Sequence, residues 1–89
     1  MAYTLEVSRE VDGIFAKLQK KDKARLEIIN KKVLQILADP NRFKPLRGDM
    51  HGARRVHIDK SFVLTYEVDE NSKIVRLLDF DHHDKIYKR

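Results

Sequence analysis

Eighty-nine residues with 42% hydrophobic and 37% charged side chains predict one folded domain, 1–89, and exclude both a two-domain protein and a disordered chain. There is no cysteine, so disulfide frameworks and thiolate metal sites are excluded. No apolar run nears the roughly 20 residues of a membrane span, and no leader-like segment opens the chain, so the expected compartment is the cytoplasm. The net charge of +5 points to a polyanion or an acidic protein as partner.

Ala2 to Val7 alternates, with Tyr3, Leu5 and Val7 on one side, and predicts a short strand. Ser8 then serves as an N-cap, ahead of Glu10 and Asp12, whose carboxylates suit the positive end of a helix. Val11, Ile14, Phe15 and Leu18 recur at helical spacing, weakened only by Gly13. Lys20 to Lys23 is a polar link in which Asp22 can cap a second helix. That helix carries Leu26, Ile29, Val33, Ile36 and Leu37 as one stripe, and Asp39-Pro40-Asn41 stops it because proline cannot continue a helix. Two amphipathic helices on a short link predict an antiparallel hairpin with both stripes in the core.

Asn41 to Gly52 has no period and reads as a loop of a dozen residues, made basic by Lys44, Arg47 and His51. Alternation then returns. In a first strand Val56 and Ile58 oppose Arg55, His57 and Asp59; in a second, Phe62, Leu64, Tyr66 and Val68 oppose Val63, Thr65 and Glu67. Asp69 to Ser72 is a hairpin turn, with Asn71 suited to a left-handed conformation. A third strand sets Ile74, Leu78 and Phe80 against Val75, Leu77 and Asp79. The expected fold class is α+β: an N-terminal strand, a two-helix hairpin and a three-stranded antiparallel meander in one sheet.

Two groups of residues could carry chemistry. The outward edge of the first meander strand holds Arg55, His57 and Asp59; a guanidinium forks onto phosphate oxygens, and imidazole as a residue type exchanges protons near neutrality. On these residues alone an ordinary polar outer face is the simpler reading. The tail offers His82, His83, Asp84 and Tyr87 among the cations Lys85, Lys88 and Arg89. Adjacent histidines at a strand end point to opposite faces, so the pair is a poor metal site. An acid–base histidine with a tyrosine for base stacking suits RNA better.

The order of elements, with Pro45-Leu46-Arg47-Gly48, Gly52-Ala53-Arg54-Arg55-Val56-His57-Ile58, Leu64-Thr65-Tyr66-Glu67-Val68 and the closing His83 and Tyr87, resembles the RelE/ParE toxin superfamily of toxin–antitoxin modules. Within it the pattern looks like the YafQ-type branch. That resemblance implies a RelE-like, microbial-RNase-like sheet and a ribosome-dependent messenger-RNA endonuclease silenced by a cognate antitoxin. It implies cleavage through the RNA's own 2′-hydroxyl, with neither metal nor cofactor. By matching position it makes His57 and His83 the acid–base pair, Arg55 and Arg54 the phosphate stabilisers, and Tyr87 the stacking residue. Lys44, Arg47, Lys85, Lys88 and Arg89 are then the RNA-binding cations.

Two positions depart from the family pattern. The arginine that many RelE-type members carry in the second meander strand is replaced by Val63 or Phe62, and the loop histidine of the YafQ type by Lys44. Two other functions fit the same residues: a ParE-like inhibitor of DNA gyrase, which binds and cuts nothing, and a non-catalytic module that binds RNA or protein.

Overall fold

Local chemistry sets the element boundaries in the computed structural model, which describes residues 3–43 and 53–87, with the backbone alone for Tyr87. Strand β1 (Thr4–Val7) ends at Ser8, whose hydroxyl accepts from the Val11 N–H at 3.2 Å and so caps α1 (Arg9–Lys21). Asp22 both closes α1, its N–H reaching the Leu18 carbonyl at 2.8 Å, and opens α2 (Lys23–Ala38) by accepting from the Arg25 N–H at 3.1 Å. This double use is why two helices need a link of one residue. Asp39 caps the far end of α2 and Pro40 follows, as expected.

Strands β2 (Ala53–Ile58), β3 (Phe62–Asp69) and β4 (Ile74–His82) form the antiparallel meander, and β1 adds to β4 in parallel, giving the order β1-β4-β3-β2. A parallel pair needs a crossover, and the helical hairpin supplies it while covering one sheet face. Val11 of α1 and Ile29, Val33 and Ile36 of α2 are buried against Val56, Ile58, Leu64, Tyr66, Val75, Leu77 and Phe80. Each such aliphatic burial contributes roughly 1.5–3 kcal/mol, which a domain this small needs. The fold class is the one expected. Among the described residues no helix is long and apolar enough to cross a membrane.

Strict alternation fails in β4. Thr65 pairs with Asp79 but Tyr66 pairs with Leu77, so Leu78 is an extra residue, a β-bulge. The bulge switches the inward face from Val75 and Leu77 to Phe80, which an unbroken period of two separates. Ser8 stabilises it: its N–H donates to the Leu77 carbonyl at 3.1 Å and its hydroxyl to that of Leu78 at 3.4 Å. Two turns also differ from expectation. Asp59 lies beyond β2 in a left-handed turn (φ 59°) and not on the strand's outward edge, and Lys73, not Asn71, takes the positive φ after β3. The tail is not frayed strand but a one-turn helix, α3 (His83–Tyr87).

Tyr66 ties the sheet to the end of α2. Its buried hydroxyl donates to the Pro40 carbonyl at 2.7 Å, and burial pushes its pKa from 10.0 up to about 12. A raised phenol pKa means the folded state resists ionisation that the unfolded chain undergoes. Its contribution is therefore full below pH 10 and is lost as pH rises toward 12. Removing the hydroxyl in Tyr66→Phe orphans the Pro40 carbonyl and should cost roughly 1–3 kcal/mol at neutral pH. Urea titrations of both proteins at pH 8 and pH 11 check this: the gap between them should shrink at the higher pH, and a constant gap would contradict it.

Candidate functional site

Pairing register decides which side chains meet. Arg54 lies opposite Tyr66 and Arg55 opposite Thr65, so the two arginines point to opposite faces of β2. Arg54 is on the helix side, where its guanidinium donates to the Phe43 carbonyl at 2.7 Å and anchors the chain after α2. Arg55 and His57 share the face away from the helices; His57 is exposed and Arg55 half-buried.

The same register carries the tail to His57. His57 pairs with Val63 and Val63 with Asp81, so β4 ends with only β3 between it and His57. There the His83 N–H donates to the Ser61 carbonyl at 2.7 Å, which fixes the first residue of α3 to the β2–β3 turn. The His57 and His83 rings face each other with centroids 5.9 Å apart and planes 30° from parallel. Residues 26 apart in sequence thus form one exposed imidazole pair.

His82 goes elsewhere. Its ring packs edge-on against Phe62 at 5.6 Å, and its Nδ1 accepts from the Asp84 N–H at 3.3 Å. Of the adjacent histidines only His83 meets His57. Sequence reasoning had no role for Asp84, yet its Oδ1 lies 3.4 Å from Nδ1 of His83. The available signal was its position directly after the histidine, since carboxylates commonly orient imidazole rings.

Lys85 is exposed on α3. Lys44, Arg47, His51, Lys88, Arg89 and the Tyr87 side chain lie outside the described residues. Among the described residues no three histidine or carboxylate side chains are grouped to hold a metal ion. What the arrangement can do is proton transfer: two imidazoles at one surface point, one beside a carboxylate, with an arginine two residues from the other.

Residues 2–87 match the sequence model of the ParE toxin of type II toxin–antitoxin systems, parDE. A Methanocaldococcus jannaschii protein provisionally named toxin RelE4 is 49% identical over 87 residues, covering 98% of this chain and 93% of that one. Among solved structures, the YoeB/ParE toxin from Agrobacterium tumefaciens superposes with a TM-score of 0.81 at 20% identity, over 90% of this chain and 98% of that one. The toxin–antitoxin complex RelBE2 from Mycobacterium tuberculosis gives 0.76 at 22% identity, over 93% and 100%. At such identities these two structures establish the likeness of fold.

Proposed function

The chain belongs to the RelE/ParE toxin superfamily of type II toxin–antitoxin systems, and we propose that it acts there as a ribosome-dependent messenger-RNA endonuclease of the YafQ type. The observation that carries this reading is the imidazole pair. A protein that only binds has no use for His57 and His83 held ring to ring at an exposed surface by two separate elements.

In the proposed reaction one histidine takes the proton of the RNA 2′-hydroxyl, and the 2′-oxygen bonds to the adjacent phosphorus. The other protonates the departing 5′-oxygen, leaving a 2′,3′-cyclic phosphate and a 5′-hydroxyl, so no metal is required. Arg55, on the face of His57, offsets charge on the phosphorane. Asp84 beside Nδ1 of His83 leaves Nε2 of that ring to exchange protons with substrate. Tyr87, four residues after His83, stacks on an exposed base, and Lys44, Arg47, Lys85, Lys88 and Arg89 provide cations for the message; Arg54, turned to the helix side and bonded to the Phe43 carbonyl, does not join them. The site of action is the A site of cytoplasmic ribosomes. The M. tuberculosis neighbour is a toxin–antitoxin complex, and by extension an antitoxin partner silences this chain.

The match to the ParE toxin model favours a second reading, inhibition of DNA gyrase without cutting. One preparation separates the two. Purified protein added to cell-free translation should cut ribosome-bound message with cyclic-phosphate ends, while gyrase supercoiling continues. Intact message together with arrested supercoiling would replace the nuclease by the inhibitor.

A further inference from the structure

Of the two tail histidines the proposed cleavage employs only His83, yet the fold places His82 with equal care. Register sets His82 opposite Phe62. Its ring lies edge-on to Phe62 at 5.6 Å, and Phe62 in turn stacks on the buried Phe80 at 5.3 Å, so the imidazole is braced against the sheet. In that position its Nδ1 accepts the Asp84 N–H at 3.3 Å.

That contact is a helix cap. The first N–H groups of a helix lack partners within it, and α3 is a single turn, too short to hold itself together. Two of them are satisfied from outside: the His83 N–H by the Ser61 carbonyl at 2.7 Å, and the Asp84 N–H by His82. A ring nitrogen accepts only while unprotonated, so the cap requires a neutral His82 with its hydrogen on Nε2. Asp84 is shared at the same time. Its Oδ1 lies 3.4 Å from Nδ1 of His83 and its Oδ2 3.9 Å from Nδ1 of His82. A neutral His82 offers that carboxylate no hydrogen and leaves it to His83. A proton on Nδ1 ends the cap and makes the ring a cation that competes for Asp84. Among the described residues the other charged groups around His82 are two. Asp81 accepts the His82 N–H at 2.7 Å; beyond Phe62, Arg25 covers that ring and lies 2.8 Å from Asp22 and 3.8 Å from Asp59.

We infer that His82 is a positioning residue: neutral, it caps α3 and leaves Asp84 to orient His83, and protonated, it withdraws both. Its effect on rate rests on the cleavage reading above; its effect on the rings does not. Neutral His82 carries its hydrogen on Nε2, and neutral His83 carries its own on Nδ1, facing Asp84.

Two variants of the full chain test this. His82→Asn keeps an acceptor for the Asp84 N–H but cannot take up a proton, and His82→Leu removes the acceptor. At pH 8 the imidazole nitrogen NMR signals of the wild type should show the two tautomers just stated. His83 should keep its tautomer in His82→Asn and become a mixture in His82→Leu. In steady-state message cleavage His82→Leu should lower kcat roughly tenfold at unchanged KM, and His82→Asn should stay within about twofold of the wild type. At about pH 5.5, where imidazole as a residue type is mostly protonated, His82→Asn should keep a larger share of its pH 8 rate than the wild type does. The inference is overturned if His82 carries its hydrogen on Nδ1, if His83 keeps its tautomer in His82→Leu, if His82→Asn is as slow as His82→Leu, or if the acid limb of His82→Asn coincides with that of the wild type. A wild type that cuts no message ends the cleavage reading instead, and the ring signals alone then decide the role of His82.

Discussion

Replacing His83 with alanine is expected to slow message cleavage by roughly 10²–10⁴-fold, the range in which a positioned acid or base contributes. The fold should barely register the change. His83 is exposed, and substitutions at such positions usually alter stability by less than about 0.5 kcal/mol. His57→Ala should behave alike. If both rings serve one reaction, the double variant will be little slower than the worse single one, because residues that act as a unit are not additive. The pH dependence identifies their roles. Wild type should give a bell-shaped profile; removing the base should flatten the acid limb, and removing the acid the alkaline limb. Single-turnover cleavage of a ribosome-bound message, with melting curves beside it, reads all of this. Undiminished cleavage by His83→Ala at unchanged stability would end the acid–base assignment.

Asp84→Asn separates orientation from chemistry. With Oδ1 at 3.4 Å from Nδ1 of His83, loss of its charge should act on kcat more than on KM, and less severely than loss of the ring.

Much of this architecture can be read from residue order, and the parts that cannot are instructive. Helices α1 and α2 announce themselves because Val11, Ile14, Phe15 and Leu18 in the first and Ile29, Val33 and Ile36 in the second repeat at the helical period behind recognisable caps, Ser8 and Asp22. The alternation of β2 is already enough to send Arg54 and Arg55 to opposite faces, whereas β3 is buried on both faces from Val63 to Tyr66. Arg54 and Arg55 therefore do not face one phosphate together, contrary to what the family resemblance implies. β4 misleads because Leu77 and Leu78 are both apolar, so nothing in the run Val75 to Phe80 marks the extra residue. The pairing with β3 reveals it, and hydrogen bonds from Ser8, seventy residues away, hold it. α3 is a single turn, too short for a period. The imidazole pair depends on three strands in register, information that no local stretch contains. His57 and His83 could each be nominated from sequence; that they touch could not.

The bulge matters because it delivers Phe80 to the core, and Phe80→Ala is the substitution expected to damage stability most. The ring is 4% exposed, lies 5.3 Å from Phe62 with planes 8° apart, and meets Phe15 edge-on at 6.3 Å. Truncation of a buried phenylalanine typically costs roughly 3–5 kcal/mol. Against a total of roughly 5–15 kcal/mol for a domain, with small domains near the bottom, that is much of the reserve. Urea denaturation should show a much lower midpoint at unchanged slope, meaning lost stability and not a looser native state. Phe80→Leu keeps most of the volume and should recover most of the loss. The consequence for function is indirect. Phe80 and Phe62 support the last residues of β4, from which His83 projects, so the alanine variant should lose cleavage on warming before the wild type does. If its midpoint moved by less than about 1 kcal/mol's worth of urea, the stacked rings would not be what clamps β4 beneath the site, and the rigidity of the His57–His83 pair would have to come from the Ser61–His83 hydrogen bond alone.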